Sequence, residues 1–229
     1  MRRLCCLAAA TSLALTAVNA PAAVVTFDFQ DGTDQGWGGA FGADADIAFP
    51  VDNIGGSLRM RVTNTANFQE AAQSQGVAAP PTPPFPPFFA AMQAAAGDEA
   101  GYILSYDWYV DTSPGTGGAT FLQLGTYVNT GSGLYQEDFP GAGKDVELSG
   151  TQLASGLVFS GTVSETFAAK GFNMADTESF YRLGLIVNSN GTGAPIVHFD
   201  NITIQPVPEP ASLAMLGLGG LALLRRRCA

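Results

Sequence analysis

The chain has 229 residues, of which 46% are hydrophobic and only 13% charged, and its net charge at pH 7 is −10. Between residues 23 and 205 five basic side chains (Arg59, Arg61, Lys144, Lys170 and Arg182) stand against nineteen acidic ones, a net −14. Repulsion excludes nucleic acid and anionic lipid as partners of this region, while sugars, cations and basic surfaces stay compatible with it.

The first 22 residues read as a targeting segment. Arg2 and Arg3 form a charged start, Leu4 to Val18 an apolar stretch, and Ala20-Pro21-Ala22 an Ala-x-Ala cleavage site, with the cut expected after Ala22. Cys5 and Cys6 lie at the very start of the apolar stretch, too early to carry a lipid. The third cysteine, Cys228, lies at the other end, so residues 23–205 contain none. An exported domain without disulfides must be held by packing or by a bound ion.

Residues 23–205 are expected to form one all-β domain. Val24-Val-Thr-Phe-Asp-Phe29 is β-branched and aromatic. Leu58 to Thr63 alternates, with Leu58, Met60 and Val62 on one face and Arg59, Arg61 and Thr63 on the other. Tyr102 to Asp111 places Tyr102, Leu104, Tyr106, Trp108 and Val110 on a shared face. Further strands are expected at Thr120–Val128, Leu134–Phe139, Leu157–Val163, Phe180–Asn188 and Ile196–Ile204, separated by glycine-rich breaks. At least eight strands with glycine turns point to an antiparallel β-sandwich of the jelly-roll kind. One insertion, at about 79–97, opens with the proline-rich Ala79 to Pro87 and continues into an alanine-rich helix stopped by Gly97. A second helical turn is expected over Ser164 to Phe172.

Signatures of catalysis are scarce. The sequence holds one histidine, His198, and no Gly-x-Ser-x-Gly, His-Glu-x-x-His or phosphate-loop pattern. His198 lies in a predicted strand, where alternation groups it with Ile196 and Asp200, and a partnered strand histidine is the simpler reading. A carboxylate pair doing glycosidase or lyase chemistry is the rival enzymatic reading, with no spacing rule to choose the pair.

The C-terminus is tripartite. A Pro208-Glu209-Pro210 triplet precedes an uncharged apolar run from Ala211 to Leu224, and Arg225, Arg226 and Arg227 follow. As a helix that run spans roughly 21 Å, short of the roughly 30 Å hydrocarbon core of a bilayer. The arginines favour a cytoplasmic end, with everything upstream outside. This order resembles the PEP-CTERM sorting signal of exported Gram-negative bacterial proteins. The resemblance implies processing by an exosortase-type membrane enzyme, a transient stay in the inner membrane, and delivery to the cell surface or extracellular matrix of a cell making exopolysaccharide.

A second resemblance joins the ends of the domain. Phe27-Asp-Phe-Gln-Asp-Gly-Thr-Asp-Gln-Gly-Trp37 and Val197-His-Phe-Asp-Asn-Ile-Thr-Ile204 are similar to the first and last strands of galactose-binding-like jelly rolls, which include many carbohydrate-binding modules. The resemblance implies a structural calcium tying these strands, with Asp28, Asp31 and Asp200 as carboxylate ligands. Sugar binding needs exposed aromatic rings, for which Tyr109, Tyr135 and Trp108 are the candidates. Tyr109 and Tyr135 are expected to be exposed, while Trp108 shares its strand face with Leu104 and Val110 and is expected to pack in the core. The expected function is therefore non-catalytic: an adhesive or polysaccharide-binding surface protein, with no catalytic residue.

Overall fold

The computed structural model describes residues 23–39, 49–63, 68–78, 83–115, 118–138, 145–190 and 195–208. The expected signal segment and nearly all of the sorting tail, from Glu209 on, lie outside the described residues.

Two six-stranded antiparallel sheets face each other. The first, sheet A, runs β10 (Val158–Thr166), β6 (Tyr102–Asp111), β12 (Ile196–Pro206), β4 (Ser57–Thr63) and β3 (Val51–Ile54), and β1 (Val25–Phe27) also pairs with β12. Sheet B runs β2 (Trp37–Gly39), β5 (Phe68–Gly76), β11 (Phe180–Ser189), β7 (Phe121–Thr130) and β8 (Tyr135–Glu137), and β9 (Val146–Ser149) also pairs with β7. Successive long strands from β4 to β7, and again from β10 to β12, alternate between the sheets, the connectivity of a jelly roll. The first strand does lie beside the last, with Val25 opposite Ile204 and Phe27 opposite Ile202.

The core follows the alternation read from the sequence. Leu104, Tyr106 and Val110 of β6 meet Leu183, Leu185 and Val187 of β11 in one apolar cluster. Helix α1 (Pro87–Gly97) packs against strands of both sheets and buries Phe88, Phe89, Ala91, Met92, Ala95 and Ala96. Its Phe89 ring lies 5.2 Å from Phe85 and 5.1 Å from Tyr181. Trp37 is 2% exposed, its ring set edge-on to Phe27 at 5.6 Å.

The helical turn expected over Ser164 to Phe172 forms only in its second half, as one turn closed by Lys170 N donating to Thr166 O at 3.1 Å. Ser164, Glu165 and Thr166 continue β10 and pair with Ser105, Leu104 and Ile103. Cross-strand pairing outweighs local preference there, and the chain turns only afterwards, with Ala169 N donating to Thr166 Oγ1 at 3.1 Å. The short helix of that region lies earlier, at α2 (Gly150–Leu153), where Ser149 and Gln152 form a reciprocal capping box.

A candidate ligand cleft on sheet A

Sheet A has an inward and an outward face, and register assigns its residues to each. Met60, Phe199, Trp108 and Gly161 form one cross-strand row. Met60 and Phe199 are fully buried, so this row faces the core. The rows on either side face out: Arg61, His198, Tyr109 and Ser160 form one, and Asp200, Asp107 and Thr162 the other. All of these but Arg61, together with Ser57, Arg59 and Asn201, wall an open cleft of about 400 Å³, within the size range of small-ligand sites.

A bulge in β12 shapes the cleft. Pairing with β6 slips between Asp200 and Thr203, and Asn201 takes a left-handed φ of 50°. Bulges re-aim side chains, and here Asn201 Nδ2 donates to Asp107 Oδ2 at 2.8 Å. Thr162 Oγ1 donates to the other oxygen of Asp107 at 2.5 Å. Asp200 is fixed in the same way, accepting from Ser57 Oγ at 2.9 Å and from Asn201 N at 2.8 Å. Burial raises the Asp200 carboxyl above the usual carboxylate range, against the pull of those two donors. The pair therefore presents fixed acceptors at the floor of the cleft.

The cleft's cationic and aromatic groups are stacked. Arg59 holds its guanidinium 5.0 Å from the centroid of the Tyr109 ring, and its Nε lies 3.9 Å from Asp200 Oδ2. His198 meets the Tyr109 ring edge-on at 5.9 Å. His198 is 2% exposed, and its Nε2 lies 3.1 Å from Asp52 Oδ2, which Arg61 Nη1 also approaches at 3.1 Å. Burial lowers the imidazole below its usual range, with Asp52 opposing. His198 is thus neutral near pH 7 and donates from Nε2. It is a positioned strand histidine, with no nucleophile among its partners in the described residues.

The three aromatic candidates do not form one site. Tyr109 is in the cleft. Trp108 borders it, but its row faces inward and it packs against the core beside Gly161. Tyr135 is on the other sheet: on the outer face of sheet B it lies 5.4 Å from the buried Tyr127 and donates to Glu137 Oε2 at 2.8 Å. Asp107, Arg59 and Asn201 escaped sequence reasoning because their convergence depends on strand register and on the bulge.

The three carboxylates expected to hold calcium are near one another in part. Gln30 Nε2 donates to Asp28 O at 2.8 Å and Leu58 O at 3.1 Å, and lies 3.4 Å from Ser57 Oγ, which in turn donates to Asp200. Asp28 and Asp200 are therefore linked through an amide and a hydroxyl. Asp31 sits in the adjacent turn, where the Thr33 amide holds its carboxyl below the usual range. Among the described residues no group of three or more acidic or imidazole side chains is arranged to hold a metal ion. The oxygens that surround this junction face an amide donor, so a calcium ion would have to displace Gln30.

Residues 206–227 match the family described as the PEP-CTERM protein-sorting motif. The chain carries a PEP-CTERM sorting signal. In this PEP-CTERM chain the upstream domain is similar to solved carbohydrate-binding modules. A crystal structure of a CBM28 module specific for non-crystalline cellulose superimposes with a TM-score of 0.51 at 15% identity, over 76% of this chain and 89% of that one. The CBM22-1 xylan-binding domain of Paenibacillus barcinonensis Xyn10C gives 0.45 at 14% identity, over 81% and 95%. The xylan-binding module CBM15 gives 0.41 at 14%, over 82% and 98%. At such identity the first of these likenesses, at 0.51, shows a shared β-sandwich fold and nothing further. No curated protein matches the chain by sequence. Among the described residues no helix is long and apolar enough to cross a membrane; the apolar run at 211–224 lies outside them.

Proposed function

We propose that this is an exported surface or matrix protein whose sandwich binds polysaccharide in the sheet A cleft and does not cleave it. The observation that carries the reading is the cleft itself. One tyrosine ring, one arginine and two fixed carboxylates line a trough large enough for a sugar unit. Sugar recognition needs that combination: a ring for the apolar face of a pyranose, and charged hydrogen-bonding groups for its hydroxyls. The carbohydrate-binding-module fold and the sorting signal are consistent with it. The tail would be processed by an exosortase-type membrane enzyme, leaving the domain at the surface of a Gram-negative-type cell, where exopolysaccharide is the fitting ligand.

One feature favours the enzymatic rival. Asp107 and Asp200 are direct cross-strand partners, close enough in principle for a retaining glycosidase pair. Each, however, already accepts two hydrogen bonds, which suits a fixed acceptor better than a proton donor. Incubating the protein with soluble polysaccharides and measuring both retention and reducing ends separates the two. Retention without new reducing ends is expected; new reducing ends that disappear in Asp107→Asn would establish the glycosidase.

A further inference from the structure

Between the sheets lies a charged group that the cleft does not use. Lys170, in the turn after β10, is completely buried, and its ammonium contacts Asp138 Oδ2 at 2.8 Å and also Asp145 Oδ1. Both carboxylates are buried too, at 2% and 1% side-chain exposure, while the half-exposed Glu165 stands 4.0 Å away. The remaining oxygens are occupied. Tyr106 Oη donates to Asp145 Oδ2 at 2.6 Å, and Thr126 donates to Asp138 through its amide at 2.6 Å and its hydroxyl at 2.8 Å. Tyr106 belongs to sheet A and Thr126 to sheet B, so the cluster spans the sandwich.

A lysine buried together with two carboxylates has a route beyond an ion pair. The Lys170 amine is held against one oxygen of the Asp145 carboxyl while Tyr106 donates to the other, and a second carboxylate, Asp138, touches the same amine, the arrangement from which an amine and an acid condense to an amide. We propose that Lys170 and Asp145 form an intramolecular isopeptide bond, with Asp138 as the proton carrier.

The reaction balances without a co-reactant. A proton passes from the Lys170 ammonium to the Asp145 carboxylate. The free Nζ attacks Cγ of Asp145 and forms the C–N bond. Tyr106, donating to Oδ2, stabilises the negative charge that gathers on that oxygen. Asp138 takes a proton from the attacking nitrogen and returns it to the Oδ1 hydroxyl. The Cγ–Oδ1 bond breaks, one water leaves, and Asp138 is again a carboxylate. The environment suits the roles. Burial, aided by Asp138 and opposed by Lys170, pushes the Asp145 carboxyl up to about 6. Burial and the adjacent Asp145 raise the Tyr106 phenol well above its ordinary range, keeping it a donor. The bond would join the entry to β9 in sheet B to the turn after β10 in sheet A. Such a covalent tie restricts the unfolded chain as a disulfide does, in a region that has no cysteine.

Peptide masses test this directly. Trypsin cuts after Lys144, Lys170 and Arg182. A linked Lys170 is not cut, so residues 145–182 should be recovered as one peptide lighter by the mass of one water. Recovery of 145–170 at full mass overturns the proposal, and so does a linkage joining residues 62–144, which contain Asp138, to 145–182. A loss of water mapped elsewhere, for example to Asp31-Gly32, likewise counts against it. Asp138→Asn should fold, as judged by circular dichroism, and release 145–170 at full mass; a linked peptide in that variant would remove Asp138 from the mechanism. Should the variant fail to fold, the masses of the natural protein still decide.

Discussion

At His198 two influences compete. Its strand position buries the ring, which lowers its proton affinity, and Asp52 at 3.1 Å works in the opposite direction. Burial prevails, so the unfolded chain binds a proton that the folded one refuses between the lowered native value and the model-peptide value of about 6.5. His198 therefore contributes stability that is fully present above about pH 6.5 and is lost as pH falls below it. Asp200, raised by burial, runs the other way, gaining stability on acidification towards its unfolded range. A difference isolates the histidine: His198→Gln should flatten the stability–pH slope below about pH 6.5 by up to about one proton. Chemical denaturation at several pH values measures it, and parallel slopes for the two proteins would show that the imidazole titrates normally.

At the scale of elements, β5 shows where pattern reading stops. Phe68-Gln-Glu-Ala-Ala-Gln-Ser-Gln-Gly76 has little β-branched or aromatic content and would pass for a helix or a loop. It becomes a strand because β11 and β2 pair with it on both sides, a non-local effect that overrides propensity. The β3–β4 hairpin, whose first strand was not expected, does carry a local signal: Gly55-Gly56 separates Ile54 from Ser57, and both glycines have positive φ, as a type I′ turn requires. Gly184 carries a different constraint. It faces Tyr127 across the strands, and a Cβ there would overlap the tyrosine ring. Gly184→Ala should cost about 1–3 kcal/mol through overpacking, seen as a lower melting temperature; an unchanged value would mean that Tyr127 moves aside freely. At the β1–β12 junction, Gln30 bridges oxygens that a calcium ion would otherwise hold together. EDTA is accordingly expected to leave the melting temperature unchanged, and a fall of several degrees would place an ion at that junction.

For the whole molecule, the sorting tail and the sandwich were legible to different depths. The all-β class and the inward faces of β4 and β6 followed from alternation, because period-two patterning survives whatever the topology. The sorting tail followed from its order of proline, apolar run and arginines, which needs no folded context. The cleft did not follow. Tyr109 was named as exposed and does reach it, but Tyr135 lies on the opposite sheet and Trp108 points inward. Arg59 joins Tyr109 only because β4, β12 and β6 are neighbours, an order that sequence periodicity does not contain. Sorting makes its own prediction at this scale. Intact-mass analysis of surface-exposed protein should find Arg225 to Ala229 absent, and their retention would rule out processing of the tail.

The central claim is that the sheet A cleft, not the rings of sheet B, holds polysaccharide. Affinity electrophoresis of the natural protein, Tyr109→Ala and Tyr135→Ala in gels containing the producing cell's own exopolysaccharide tests it most directly. Removing a central aromatic anchor typically costs more than about 1 kcal/mol. Tyr109→Ala should therefore weaken retardation about tenfold, with Tyr135→Ala close to the natural protein. Full retardation of Tyr109→Ala together with its loss in Tyr135→Ala would contradict the account and move the binding face to sheet B.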